Sequence, residues 1–146
     1  MLDSDFIKRK VDLINRDLVR LEEFRDFTVD QMAQDHMRYA ALKNYLMEII
    51  GRAVDINQHV ILEKFDLKDK TPVTYQDSFL YLPKIDVLPE HFAQKIAGSG
   101  SFRNAIVHDY NNLNKYLVYK TIGEAIDQYT QYCQYILEYL DKQTNS

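Results

Sequence analysis

The sequence predicts an all-α fold, and three observations carry that reading. Only three prolines and four glycines interrupt 146 residues, so helix breakers are scarce. Apolar residues recur at three- and four-residue spacing over long stretches, the period of a helix with one buried face. Thr28-x-x-Gln31, Thr74-x-x-Asp77 and Thr121-x-x-Glu124 place a hydroxyl where a helix start needs an acceptor for its free N–H groups.

Taken in order, the first helix runs from Ser4 to about Phe24. Ile7, Val11, Ile14, Leu18 and Leu21 form its buried stripe, while Lys8, Arg9, Lys10, Arg16 and Arg20 lie mostly off it as a solvated face. The Thr28 box opens the second and longest helix. Met32, Tyr39, Leu46, Ile50, Ala53, Val54, Asn57 and Ile61 share one side of it, and Leu42, Ile49, Ile56 and Val60 widen that side. So broad an apolar arc marks a central helix. Glu48, Arg52, Asp55 and His59 face away at spacings that let them pair.

Phe65 to Val73 reads as a loop, Thr74 caps a short helix to Leu82, and Pro83 stops it. Pro89 suits the first position of another short helix ending at Ala97, which carries an exposed His91. Gly98-Ser99-Gly100-Ser101 then reads as a break, with Ser101 capping a helix from Phe102. Thr121 caps the last helix, from Ile122 to about Leu140. Its stripe is Ile122, Ala125, Ile126, Tyr129, Cys133, Ile136, Leu137 and Leu140, bordered by Tyr132, Tyr135 and Tyr139 as core edge.

Composition narrows the function classes. The length suits one domain, 1–146, with a real core. No run of about eighteen apolar residues spans a membrane, and Met-Leu-Asp-Ser-Asp lacks the pattern of a signal peptide. One cysteine supports neither a disulfide framework nor a thiolate metal site. A cytoplasmic protein is expected. The net charge of −4 excludes a chain coated for nonspecific nucleic-acid binding, so any phosphate contacts must be gathered in one cleft.

The helix from Phe102 has two unlike faces. Phe102, Ala105, Ile106, Leu113, Tyr116 and Leu117 fall on one side, and Arg103, Asn104, Val107, His108, Tyr110, Asn111 and Asn114 on the other. The second side gathers a guanidinium, an imidazole, a phenol and several amides, groups that hold anions and, for imidazole, move protons near neutral pH. Arg103-x-x-x-x-His108-x-Tyr110, with Asn104 after the arginine, resembles the signature of HEPN-domain ribonuclease toxins, most closely the HepT-like group. The likeness extends to Arg52–Ile61, to Leu88–Glu90 and to the closing helix. Where such chains often carry an aspartate after the tyrosine, this one has Asn114, and no acidic role is assigned there.

The resemblance implies a HEPN-like up-and-down bundle with one long central helix and short connecting helices. It implies a metal-independent endoribonuclease, the toxin of a type VII-like toxin–antitoxin pair. RNA carries its own nucleophile, the 2′-OH. His108 would act as general acid or base, Arg103 would neutralise the phosphorane, and Asn104 would hold a phosphate oxygen or fix the imidazole tautomer. Asp55 is the candidate to orient Arg103. One histidine cannot comfortably be acid and base in one turnover, so a homodimer with a composite active site is implied. The implied partners are an RNA substrate, tRNA or mRNA, and a minimal nucleotidyltransferase (MNT) antitoxin. That antitoxin, not this chain, uses ATP, and it attaches AMP to Tyr110. No metal and no cofactor is expected in this chain. The competing reading is a non-catalytic HEPN-like module that binds a nucleotide or a nucleotidyltransferase.

Overall fold

The computed structural model describes residues 2–64, 74–108 and 113–144. Among these the chain is all-α: α1 (Ser4–Glu23), α2 (Val29–Gln34), α3 (His36–Lys64), α4 (Tyr75–Leu80), α5 (Glu90–His108) and α6 (Lys115–Thr144). Short 3-10 turns follow α1 at Phe24–Asp26 and α4 at Leu82–Ile85. No helix among the described residues is long and apolar enough to cross a membrane. The expected loop at 65–73 and the expected modification residue Tyr110 lie outside the described residues.

The hydrophobic pattern lands where helix periodicity puts it. All five stripe residues of α1 are buried, as are all twelve positions assigned to the arc of the central helix, Asn57 included. α1 lies against α3 and α6, and α4 lies against α5. Asn57 is fully buried without cost in unpaired polar groups, because its amide nitrogen donates to Ser78 Oγ at 3.1 Å and its oxygen faces Tyr132 OH at 2.5 Å. Ser78 Oγ in turn donates to the Tyr75 carbonyl at 2.7 Å. This relay ties α6, α3 and α4 together. Burial pushes the Tyr132 phenol well up and the Cys133 thiol up to about 12. Cys133 is therefore an inert core filler.

Several helix boundaries differ from expectation: α4 ends at Leu80 rather than Leu82, Pro83 lies inside the 3-10 turn Leu82–Ile85 rather than stopping a helix, and α6 runs past Leu140 to Thr144. The Thr28–Gln31 capping box forms in full, yet its helix stops at Gln34. Asp35 adopts an extended conformation, and its Oδ1 accepts the N–H groups of Met37 and Arg38 at 3.0 and 3.1 Å. Asp35 thus starts α3 afresh. Those bonds, the Arg38 N–H foremost, hold its carboxyl below the ordinary range.

Pro89 stands just before α5 rather than in it, its carbonyl accepting the Ala93 N–H at 2.9 Å. α6 begins at Lys115, well before Thr121. Asn114 Oδ1 caps it, accepting from Tyr116 and Leu117 N–H at 3.0 and 3.3 Å. Thr121 instead donates to the Val118 carbonyl. Tyr116 and Leu117, expected on the apolar face of the motif helix, are exposed at the start of α6. Leu137 is also exposed, and Tyr132 is fully buried in the core.

The largest difference concerns Gly98–Ser101. The expected break is absent, and α5 runs without interruption from Glu90 to His108. Ser99, Gly100 and Ser101 meet packing demands instead. A Cβ on Gly100 would stand 2.6 Å from Gln76 N and 2.9 Å from Tyr75 C, so only glycine lets α5 reach the first turn of α4. Ser101 Oγ donates to Gln76 Oε1 at 3.1 Å, and Ser99 Oγ lies 2.6 Å from Tyr129 OH.

This contact gives a direct test. Gly100→Ala forces backbone apart and is expected to cost about 1–3 kcal/mol. Gly98→Ala, where a Cβ meets nothing within 4 Å, is expected to gain up to about 1 kcal/mol from helix propensity. Thermal melts followed by circular dichroism compare the two. Equal melting temperatures would contradict the packing role of Gly100.

Candidate active site

α5 carries Arg103, Asn104 and His108, and the continuity of that helix decides where each of them points. Arg103 lies one turn beyond the Gly100 contact, half-buried, with its guanidinium carbon 4.7 Å from the centroid of the Tyr75 ring. That distance is a cation–π contact. Its Nε is buried and has no hydrogen-bond partner among the described residues, which leaves a directed donor unused.

Arg103 lines an open cavity of about 530 Å³. Lys10 and Leu13 come to it from α1, Tyr75 from α4, and Asn44, Met47, Glu48, Gly51, Arg52 and Asp55 from α3. Its acidic groups are already engaged. Lys10 Nζ lies 3.0 Å from Asp55 Oδ2. Arg52 is clamped between Glu48 and the buried Asp17. Among the described residues no ion pair reaches Arg103.

Asn104 and His108 are exposed, and neither lines that cavity. Five positions apart, Arg103 and His108 lie about 140° from each other around the helix. The single chain therefore joins Arg103 to the groove and presents His108 outward. Asp55 reaches the same groove as Arg103, but its half-exposed carboxylate takes Lys10. Tyr110 lies outside the described residues. The other histidines are accounted for elsewhere. His59 accepts the Asp3 N–H at 3.0 Å and rests against Phe6, and His36 and His91 are exposed.

Tyr75, Asn44 and Gly51 are additions that the sequence does not announce. Nothing in their local spacing ties them to residue 103, because tertiary packing alone brings the first turn of α4 and the middle of α3 to α5. The one available sign is Thr74, which fixes where α4 begins by accepting the Asp77 N–H at 3.0 Å.

Comparison with known proteins identifies the fold and the family. In solved structures the fold matches a tri-AMPylated Shewanella oneidensis HEPN toxin in complex with an MNT antitoxin, with TM-score 0.80 and 21% identity. The match covers 92% of this chain and 98% of that one. YutE of Bacillus subtilis, a cytosolic protein of unknown function, matches with TM-score 0.78 and 18% identity over 97% of this chain and 93% of its own. In sequence, the chain is 30% identical over 139 residues to the tRNA nuclease HepT of Aphanizomenon flos-aquae (strain 2012/KM1/D3), covering 95% of this chain and 92% of that protein. A family profile described as "Ribonuclease HepT-like" matches residues 14–136. With most of its length matched in both ways, the chain belongs to the HepT-like ribonuclease family.

Proposed function

We propose that the chain is an endoribonuclease that cuts RNA through the RNA's own 2′-OH, without a metal ion, and that tRNA is its substrate. The observation that carries this reading is the half-buried Arg103, held on Tyr75 with an unpartnered Nε at the edge of a groove. A guanidinium so placed can take the nonbridging oxygens of a phosphate and gains most as they acquire charge in the phosphorane. The family relative named as a tRNA nuclease supports the choice of substrate.

In this mechanism a histidine accepts the 2′-OH proton as the oxygen attacks phosphorus. Arg103 stabilises the pentacoordinate anion. The departing 5′-oxygen takes a proton from a second acid, which leaves a 2′,3′-cyclic phosphate. His108 serves as acid or base. Asn104, one position past Arg103 on the exposed side, holds a phosphate oxygen or the imidazole tautomer. His108 and Arg103 diverge within one chain, so the site is shared by two chains. Two-fold pairing sets the same helix face opposite itself and doubles both residues.

We further propose control by an MNT-type nucleotidyltransferase that uses ATP to place AMP on Tyr110. Support comes from the AMPylated HEPN toxin of Shewanella oneidensis, whose structure includes its MNT antitoxin. An AMP phosphodiester near Arg103 would compete for the guanidinium that a substrate phosphate needs. The system is cytoplasmic in this reading, and Asp55 acts on the groove through Lys10 rather than by touching Arg103.

Purified protein is expected to cleave tRNA with EDTA present. Arg103→Ala and His108→Ala are each expected to lower the rate by about a hundredfold or more, with helical content unchanged in both and the melting temperature unchanged in His108→Ala. Undiminished cleavage by His108→Ala would overturn the assignment and favour the non-catalytic binding module. An active monomer in sedimentation would overturn the shared site.

Tyr75 positions Arg103, so Tyr75→Phe should keep activity while Tyr75→Ala loses about tenfold, the size of one cation–π contact. Equal activity in the two variants would remove that role. After coexpression with an MNT-type partner, intact mass should show AMP on wild type and none on Tyr110→Phe. An adduct mapped to another residue would refute the control mechanism.

A further inference from the structure

Gly51 sits in the middle of α3, where glycine is among the least favourable residues a helix can carry. The fold supplies no packing reason for it. A Cβ built there meets no atom within 4 Å, in contrast to Gly100. Its open face is part of the wall of the groove that holds Arg103.

The rest of that wall is chemically mixed. Leu13 and Met47 offer apolar surface, Asn44 an amide with both donor and acceptor, and Tyr75 a ring. Glu48 and Asp55 would repel a phosphate, but Arg52 and Lys10 hold them. Arg103 is the cation of this lining that no carboxylate among the described residues engages. The volume, about 530 Å³, falls in the range of sites that enclose a small molecule or one unit of a polymer.

We propose that this groove seats the nucleotide of a single RNA strand that flanks the scissile phosphate. The proposal rests on the ribonuclease reading above. The phosphate meets Arg103, the ribose crosses the bare backbone at Gly51, and the base edge meets the Asn44 amide over Leu13 and Met47. Gly51 is the close-approach point, because any side chain there projects into the space the ribose occupies. Asn44 becomes the group that discriminates between bases, since an amide pairs with a base edge through one donor and one acceptor.

The test fills the groove from Gly51. Gly51→Leu and Gly51→Phe are compared with wild type, Arg103→Ala and the control Gly98→Leu. In that control a Cβ again meets nothing, but it faces a different cavity, between α3, α5 and α6. The probe is a fluorescein-labelled single-stranded RNA with 2′-O-methylated riboses, which cannot be cleaved, read by anisotropy. Its dissociation constant is expected to rise about tenfold in Gly51→Leu and further in Gly51→Phe. Both variants should keep the wild-type sedimentation mass and a melting temperature at or above wild type. Gly98→Leu should bind as wild type does.

Wild-type affinity in both Gly51 variants, with Arg103→Ala impaired, would overturn the groove proposal and leave the ribonuclease reading intact. Unimpaired binding and cleavage by Arg103→Ala would overturn the ribonuclease reading, and this proposal with it. A change of Gly51→Phe or Gly51→Leu from dimer to monomer would show that the groove holds a second copy of the chain, and would also overturn the proposal. If Gly51→Phe melts lower than wild type, Gly51→Leu alone decides.

Discussion

The close approach of α5 to the first turn of α4 at Gly100 is the constraint on which the rest of the site depends. Removing one Cβ lets two backbones meet where any other residue would hold them apart. That contact sets the register of α5 against α4, and Arg103 follows three residues later, one helical turn on. Tyr75 is fixed from the other side. Its carbonyl accepts from Ser78, which Asn57 holds, and Asn57 faces the buried Tyr132 hydroxyl. The cation–π pair of Arg103 and Tyr75 is thus anchored through both partners. A flexible arginine side chain arrives at the groove with much of its freedom already lost, which lowers the entropy cost of holding an anion there.

Electrostatics complete the arrangement. In an acidic protein any attraction for a polyanion has to be concentrated, and in the proposed site this comes by cancellation rather than by accumulation. Lys10 pairs with Asp55, and Arg52 pairs with Glu48 and with the buried Asp17, whose other oxygen lies 3.7 Å from Arg16 Nε. Losing Arg52 would leave the buried Asp17 with Arg16 alone, at 3.7 Å. The charges beside Arg103 therefore support the fold while keeping its surroundings tolerable for a phosphate.

What is legible in the sequence follows the range of each interaction. Periodicity is local, so the buried stripe of α1 and the wide arc of α3 are readable in full, down to the polar Asn57. Caps are readable as chemistry but not as extent. The Thr28 box forms, yet Asp35 restarts the helix, and Asn114 takes the role expected of Thr121. Taken alone, Gly98–Ser101 is a poor helix, and its glycines read as breakers. Packing against α4 and α6 overrides that local preference, and only the tertiary fold contains that information. Arg103, Asn104, His108 and Tyr110 stand out because their spacing resembles a family motif. Tyr75 and Asn44 lie far from it in the chain and carry no local mark, and the one mark of Gly51 is that it is a glycine inside a helical pattern.

In the proposed mechanism α4 holds the Arg103 guanidinium where a substrate phosphate meets it. Its Nε–H, buried and unpartnered, is a reporter that needs no added label beyond nitrogen-15. The resonance can be assigned by its loss in Arg103→Lys and followed while a non-cleavable, 2′-O-methylated RNA is titrated in. Binding of a phosphate at this guanidinium is expected to shift this one N–H along the binding curve. An Arg103 Nε–H that stays unmoved when the protein is saturated with RNA would contradict it.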